Sequence, residues 1–289
     1  MTGLEPIAIA GKVVESAVKA EAGEAKDRQA LRELAKESGD LDPAARAYAK
    51  RLAVKEQIRM KIWQPLGMLF GISRDYFENE FADDMADRVA QIPDEDLVTP
   101  RLSVAGPTVQ GIAFTVDEPA LKAMYLNLLA AASDGRVAST VHPSFAEIIR
   151  QLSAEEAVVL GPVLQVSNHP IIEVRRLAAT KDDPAQGYGV VATNIMDWHE
   201  NGIQVLQTAR ALQIVNWQRL GLVQVQYDTH MTAEGLYAWA ETHPLVTELR
   251  ESLDTEDFKR VEIQQGVLTV TDFGRAFQRV VVASSTTSG

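Results

Sequence analysis

Ser133, Asp134 and His142 are the residue types of a serine hydrolase, and they lie in one short stretch of the chain. In such an enzyme the histidine takes the serine proton, the carboxylate orients the histidine, and backbone amides stabilise the oxyanion. No glycine elbow surrounds Ser133, and Asp134-Gly135 is a common turn sequence. We therefore interpret these residues as turn residues. His142 is predicted to accept a hydrogen bond from the first turn of a helix that begins at Pro143, with a catalytic or metal-binding role as the alternative.

Two further motifs could bind a cofactor by residue type alone. His199-Glu200 has no second histidine four residues away and no third ligand, both of which a zinc site needs. Gly187 and Gly189 match the letters of a dinucleotide-binding loop, but they follow the turn sequence 182–184 and not a predicted strand. We predict a loop at these glycines, and neither a metal nor a cofactor for the chain.

Arginine and amide side chains could instead bind nucleic acid or a protein partner. The candidates lie on a predicted helix over 202–220 and on the strand before it: Arg210, Gln213, Trp217, Arg219, Arg175 and Arg176. Two or three arginines could contact phosphates, but residues 150–289 carry 11 Lys+Arg against 17 Asp+Glu, a net charge of −6. This charge repels DNA, so we expect protein binding in preference. Loss of a salt-sensitive mobility shift on Arg210→Ala with Arg219→Ala would favour DNA binding instead.

The elements that must position the hydrolase-like residues are two amphipathic helices. Apolar residues recur at helical spacing in each of them: Leu121, Met124, Tyr125, Leu128, Leu129 and Ala132 in the first, and Phe145, Ile148, Ile149 and Leu152 in the second. Glu147 and Arg150 point away from the second stripe and could pair across one turn. Asn127 lies outside the first stripe. We predict that the polar residues of this region have a structural role: Asn127, Asp134, His142, Pro143 and Glu147. Asn127 and Glu147, which lie off the apolar faces, are the first candidates for a functional role instead.

The rest of the chain predicts a mostly helical α+β protein. Before residue 117 the sequence predicts a helix over 44–63, a helix from Ser73 with the stripe Phe77, Phe81, Met85 and Val89, and a connector over 93–107. After residue 152 it predicts a capping box at Ser153 and Glu156 and a helix ending at Gly161-Pro162. Strands follow over 171–177 and 222–227, then an acidic helical insertion over 232–258, a hairpin about Gln265-Gly266 and a last helix over 272–282.

These elements divide the chain into four parts. Residues 1–41 are predicted to be a helical arm, residues 42–152 a helical domain, residues 153–282 a winged-helix-like domain with a small β-hairpin, and residues 283–289 a tail. Helix, strand, helices and a strand pair, in that order, are typical of a winged helix.

Composition restricts the function further. The 289 residues include no cysteine, which excludes disulfides and thiolate chemistry and favours a cytoplasmic protein. The net charge of −12 argues against a general nucleic-acid coat, and the first residues do not resemble a signal peptide. The apolar stretch 62–72 is shorter than the roughly 20 residues that span a bilayer. Peripheral membrane contact through this stretch is an alternative to burial in the core.

Several motifs in one order resemble the bacterial abortive infection alpha family. They are Ala105-Gly106-Pro107, the residues 117–121 and 124–130, the run from His142 to Ser153, the residues 92–93 and 98–100, and Thr271 to Phe277 with Phe273 and Gly274. The similarity covers roughly residues 50–280. It implies a role in anti-phage defence and carries no catalytic residue over to this chain.

The resemblance and the residues together predict a non-enzymatic, homo-oligomeric defence protein whose partner is a phage or host protein. A DNA-binding regulator is one alternative. A membrane-damaging effector is another, which dye leakage from liposomes, lost on Leu69→Asp, would favour. Enzymatic killing is the least favoured alternative, because no nucleophile, base and stabiliser can be assembled from the sequence.

Overall fold

The computed structural model describes residues 74–178, 187–200, 202–204, 208–255 and 258–282. The predictions for the arm over 1–41, the helix over 44–63, the apolar stretch 62–72 and the tail over 283–289 fall outside these residues.

The first part of the described chain is helical. Its helices are α1 (Arg74–Asn79), α2 (Phe81–Val89), α3 (Leu102–Phe114), α4 (Pro119–Ala132), α5 (Ser144–Arg150) and α6 (Ala154–Gln165), with 3-10 turns at Asp94–Asp96 and Ala138–Thr140. The predicted stripe of Phe77, Phe81, Met85 and Val89 is buried, although the chain breaks at Glu80 into two helices. The predicted capping box is confirmed, because Ser153 Oγ accepts from Glu156 N at 3.2 Å and Glu156 Oε2 accepts from Ser153 N at 2.8 Å.

Helix α3 corrects the prediction of a connector over 93–107, because the helix begins at Leu102 and continues through Pro107. Its burial explains why a proline is tolerated, since tertiary packing overrides local propensity. A Cβ at Gly111 would overlap the ring of Tyr125, so α3 and α4 approach each other closely at this point. Helix α6 likewise runs past Gly161 and Pro162 to Gln165. Pro162 has no N–H to donate to the carbonyl of Val158, four residues earlier in the helix. Val158 lies on a face of α6 that is exposed to solvent.

The second part is built on an antiparallel sheet. Its elements are β1 (Asn168–Leu177), β2 (Tyr188–Ile195), β3 (His199–Glu200), β4 (Ile203–Gln204), α7 (Thr208–Arg219), β5 (Val223–Gln226), a 3-10 turn at Ala238–Thr242, α8 (Pro244–Leu253), β6 (Val261–Val270), α9 (Asp272–Phe277) and a π-helical segment at Gln278–Val282. The four-stranded sheet has the order β2-β1-β6-β5, and β3 pairs with β4. The described chain is therefore a mixed α+β protein, and the winged-helix interpretation stays a prediction.

Two predictions about strands are wrong. Residues 261–270 do not form a hairpin about Gln265-Gly266 but one continuous strand, β6, which pairs with β1 along most of its length. Gly266 allows β5 to approach β6 closely and does not form a turn. A Cβ at this position would lie 2.5 Å from the carbonyl oxygen of Gln226 on β5. The loop predicted at Gly189 is part of β2, whose Gly189 pairs with Arg176 of β1.

Helix α7 begins at Thr208, later than the predicted start of 202. Helical spacing also predicts that Leu212 and Val215 point inward, and the structure places both at the surface. Ile214 and Trp217 are fully buried, whereas Leu212 and Val215 are 73% and 49% exposed. An aromatic side chain has more apolar surface to bury than a leucine, so Trp217 determines which face turns inward.

Two apolar cores hold the elements together. The larger core extends from Tyr76 of α1 to Val281 after α9 and includes residues on both sides of position 152. The smaller core lies where Ile172 and Val174 of β1 pack against Val246 of α8. Helix α4 contributes more buried residues than any neighbouring helix, and its polar residues therefore lie close to both the first helices and the C-terminal segment.

Candidate functional site

A polar pocket of about 400 Å³ lies between α2, the end of α4 and the C-terminal π-helical segment. We name it the arginine pocket. Its lining residues are Asp87, Arg88, Gln91, Ile92, Asn127, Ala130, Ala131, Asp134, Arg136, Val137, Arg279 and Val280. Two residues of the predicted structural motif, Asn127 and Asp134, therefore face one site.

Asn127 connects the three elements of the pocket. Its side chain is buried, its Oδ1 accepts from Arg88 Nε at 2.8 Å, and its Nδ2 donates to the carbonyl of Val281 at 2.9 Å. Arg88 also donates from a terminal nitrogen to the backbone carbonyl of Asp84 at 2.5 Å. A buried amide whose donor and acceptor are both paired is stable in an apolar core, so Asn127 holds Arg88 in a fixed position at the pocket wall.

Asp134 holds a second arginine. One carboxylate oxygen accepts from the backbone N–H of Arg136 at 3.0 Å and from its Nε at 2.8 Å, and the other accepts from a terminal nitrogen at 2.6 Å. Hydrogen bonds from Arg136 lower the pKa of Asp134. The carboxylate is therefore ionised near neutral pH and holds the Arg136 guanidinium at the rim.

A larger cleft of about 920 Å³ lies between α3, α4, α5 and the start of α6. We name it the acidic cleft, because its charged lining residues are Glu118, Glu147, Glu155 and Arg150. Glu147 and Arg150 form the predicted pair, with 2.8 Å between Glu147 Oε2 and Arg150 Nε. Both side chains are about half exposed or more, and a pair of this kind contributes at most a few tenths of a kcal/mol.

Tyr125 forms part of the floor of the acidic cleft. Its hydroxyl donates to the backbone carbonyl of Ala146 at 3.3 Å, which joins α4 to α5. Burial, and then the negative charge of Glu147, raises the pKa of Tyr125 to about 12. The phenol is therefore neutral at physiological pH and is a hydrogen-bond donor, not a base.

The joint at His142 and Pro143 has the predicted arrangement. His142 Nδ1 accepts from the backbone N–H of Ser144 at 3.2 Å, and Pro143 has helical dihedral angles immediately before α5. The imidazole also stands edge-on to Phe273 of α9, with 5.8 Å between ring centroids. This contact brings two segments that carried the family resemblance, one before α5 and one in α9, into the same aromatic cluster.

The three hydrolase-like residues do not form a triad. Ser133 is buried and donates its hydroxyl to the carbonyl of Leu129 at 2.9 Å, while Asp134 bonds Arg136 and His142 bonds Ser144. His199 Nδ1 lies 3.6 Å from Asp197 Oδ1. Within the described residues, no group of three histidine, aspartate or glutamate side chains is placed to hold a metal ion.

The predicted partner-binding arginines do not form one surface. Arg175 bonds Glu173 Oε1 and Gln264 Oε1, both at 2.8 Å, and its guanidinium covers the ring of Tyr188. Arg176 is exposed on β1. Since Arg175 is already paired with Glu173, it is poorly placed to bind phosphate.

The candidates on α7 are also engaged within the protein. Arg210 donates to Gln213 Oε1 at 2.9 Å and lies over the ring of Trp198. Arg219 donates to Gln151 Oε1 at 2.8 Å, and so ties α7 to the end of α5. Trp217, the remaining candidate on α7, is fully buried within the fold.

Arg88 and Arg279 are site residues that the sequence did not indicate. Both lie in the arginine pocket, although 190 positions separate them along the chain. No spacing pattern could have joined them, because only the packing of the C-terminal segment on α4 brings them to one pocket.

Fold and pockets define an α+β protein with two polar recesses that the helices around α4 enclose. A family model, abortive infection alpha, matches residues 73–281, and the chain belongs to that family. The resemblance that the sequence motifs indicated is thus confirmed, with a match that begins at residue 73 and not near residue 50. Neither the curated proteins nor the solved structures that were compared match the chain.

Proposed function

We propose that this protein acts in phage defence of the abortive infection type by binding and self-assembly, not by catalysis. Family membership supports the defence role. The observation that carries the assembly is a set of exposed apolar side chains on β2 and α7, which we together name the apolar face. Its residues and their exposed fractions are Tyr188 52%, Val190 52%, Val191 43%, Leu212 73% and Val215 49%.

The position of β2 favours a second copy of the chain as the occupant of this face. β2 is an edge strand of the sheet, and an exposed apolar edge strand is a template for pairing with another strand. Two copies of β2 related by a twofold axis would pair as antiparallel strands. Burial of a leucine such as Leu212 stabilises a contact by roughly 1.5–3 kcal/mol.

Charge supports the same choice. Each copy carries a net charge of −12, so two copies repel each other wherever charged surfaces meet. The segments 188–191 and 211–215 contain no charged residue, and Arg175, which stacks on Tyr188, is paired with Glu173. These segments therefore add no net like-charge repulsion between two copies.

Leu212→Asp tests the proposal, with Leu102→Asp as a matched control. Leu102 is 69% exposed at the start of α3, so both substitutions place a carboxylate at a similarly exposed leucine. We expect the wild type and Leu102→Asp to be oligomeric by light scattering and to reduce phage plating when expressed. Leu212→Asp should be monomeric and should lose protection. A monomeric wild type, together with phage plating that its expression leaves unchanged, would refute the proposal.

The two alternatives stay predictions. DNA binding is less favoured, since Arg175, Arg210 and Arg219 are held by partners within the protein. The membrane-damaging alternative depends on residues 62–72, which lie outside the described part of the chain. In that part, none of the helices has the length and apolar character needed to cross a bilayer. A cytoplasmic location likewise rests on the sequence.

A further inference from the structure

We propose that the arginine pocket binds a small phosphate-bearing ligand. This site is separate from the apolar face, and its existence does not depend on self-assembly. The proposal rests on three arginines that line one recess in an otherwise acidic protein: Arg88, Arg136 and Arg279.

The local charge favours an anion. The three guanidinium groups face two carboxylates, Asp87 and Asp134, so the lining carries a net charge of +1 while the whole chain carries −12. Asp134 accepts two side-chain hydrogen bonds from Arg136. Its charge is therefore largely compensated. The carboxylates that oppose an incoming anion are those of Asp87, in the lining, and Asp96, which lies 3.9 Å from Arg136 Nε.

Two of the arginines are held in place before any ligand arrives. Asn127 and the carbonyl of Asp84 fix Arg88, and Asp134 fixes Arg136. A guanidinium has five N–H groups. The hydrogen bonds that hold Arg88 and Arg136 use two nitrogens of each side chain. The remaining N–H groups can donate to phosphate oxygens with little loss of side-chain entropy, which is why arginine suits phosphate recognition.

Arg279 supplies the third charge from the C-terminal segment. Its side chain is exposed and makes no hydrogen bond or ion pair within the described part of the chain. It can therefore move toward a bound ligand without breaking an internal contact. Since Val281 of the same segment accepts from Asn127, the backbone that carries Arg279 is anchored beside the pocket.

Size and charge together favour a small ligand over a polymer. A recess of about 400 Å³ lies in the usual range for small-molecule pockets. A nucleic-acid strand gains affinity by neutralising many phosphates, and the acidic surface outside the pocket would repel it. At physiological salt this repulsion is screened beyond about 8 Å, so a ligand held inside the pocket experiences mainly the charges of the pocket itself.

Titration calorimetry on the full chain, at constant ionic strength, tests the proposal with inorganic phosphate, AMP and glycerol phosphate as probes and sodium chloride as the reference. We expect saturable binding of at least one probe. Equal affinity for all three would identify phosphate itself as the ligand. Tighter binding of AMP would indicate a nucleotide, and tighter binding of glycerol phosphate a lipid headgroup.

Arg279→Gln should weaken this binding by about tenfold or more, because the substitution removes a positive charge and its charge-assisted hydrogen bond to the phosphate. Arg150→Gln is the matched control, since Arg150 is an exposed arginine in the acidic cleft. It should leave the affinity unchanged. Thermal unfolding of both variants would verify that they fold. Absence of saturable binding at millimolar probe, or equal affinity of Arg279→Gln and the wild type, would overturn the proposal.

Discussion

Asn127 illustrates how one residue acquires a role from its surroundings. It lies off the apolar stripe of α4, which by itself predicts an exposed position. In the fold it is only 8% exposed, because Arg88 and the backbone carbonyl of Val281 supply partners for its amide. Removing such a partner leaves a buried polar group unsatisfied, at a cost of about 1–3 kcal/mol. Asn127 therefore stabilises the C-terminal segment as well as positioning Arg88.

His243 gives a pH-dependent prediction at the same scale. Its side chain is 2% exposed, and its Nδ1 accepts from the N–H of Leu245 at 3.3 Å. Burial lowers the pKa of His243, and the negative charge of Asp197 opposes this effect. In the unfolded chain His243 therefore binds a proton near pH 6.5, whereas in the folded protein it binds one only at lower pH. The stability from neutral His243 is present above pH 6.5 and is lost as the pH falls through the lowered folded pKa.

We expect the melting temperature to fall as the pH decreases from 7.5 to 5.5, and to fall less in His243→Asn, because asparagine can also cap α8 without titrating. Scanning calorimetry over this pH range provides the measurement. His230→Asn, at an exposed histidine, should retain the pH dependence of the wild type. An unchanged pH dependence in His243→Asn would contradict the assignment.

At the scale of elements, the contact between α9 and β5 depends on a glycine. A Cβ at Gly274 would overlap the carbonyl oxygen of Leu222, immediately before β5. Thr271 strengthens the same corner, since its hydroxyl accepts from the N–H of Gly274 at 2.9 Å and donates to the carbonyl of Gly221 at 2.6 Å. The start of α9 is thus held close to the sheet by backbone contacts.

Gly274→Ala should lower the free energy of unfolding by about 1–3 kcal/mol, the range typical of overpacked sites. Gly106→Ala is the control, because Gly106 also lies inside a helix but its added Cβ would meet no atom within 4 Å apart from its chain neighbours and the backbone of its own helix. This control should change the free energy of unfolding by less than about 1 kcal/mol, since alanine favours the helix over glycine while the following Pro107 disfavours helical dihedral angles at a residue with a Cβ. Urea denaturation measures both. Equal effects of the two substitutions would show that α9 can move away from β5.

At the scale of the whole molecule, the larger core joins the helical part to the sheet. Buried residues from α1 to α6 share this core with residues of α7, β5, β6 and the C-terminal segment. The division into two domains at residue 152 was predicted from the sequence. A shared core leads us to expect instead that the described residues unfold as one cooperative unit.

Leu160→Ala tests this cooperativity, because Leu160 of α6 is fully buried in the larger core. Such a truncation costs about 2–5 kcal/mol. In urea, far-ultraviolet circular dichroism reports the helices, and tryptophan fluorescence reports Trp217 in the larger core and Trp239 beside the smaller one. The two midpoints should coincide in the wild type and decrease together in the variant. A shift of one midpoint alone would favour two independent domains.

The local features of the protein follow from its amino-acid sequence alone. Helical stripes such as that of α4, the capping box at Ser153 and Glu156, the His142 joint and the family resemblance all depend on residues close together in the chain. Local propensity and spacing are sufficient for such features.

Which faces are buried and which distant residues come into contact depend on the tertiary fold. Pro107 continues a helix because α3 packs on α4, and Gly266 lies in a strand because β5 approaches it closely. Arg88 and Arg279 line one pocket because the C-terminal segment lies against α4. The physical reason is common to these cases: burial energy depends on contacts between segments far apart in sequence, and it exceeds the local preference of a single proline, glycine or leucine.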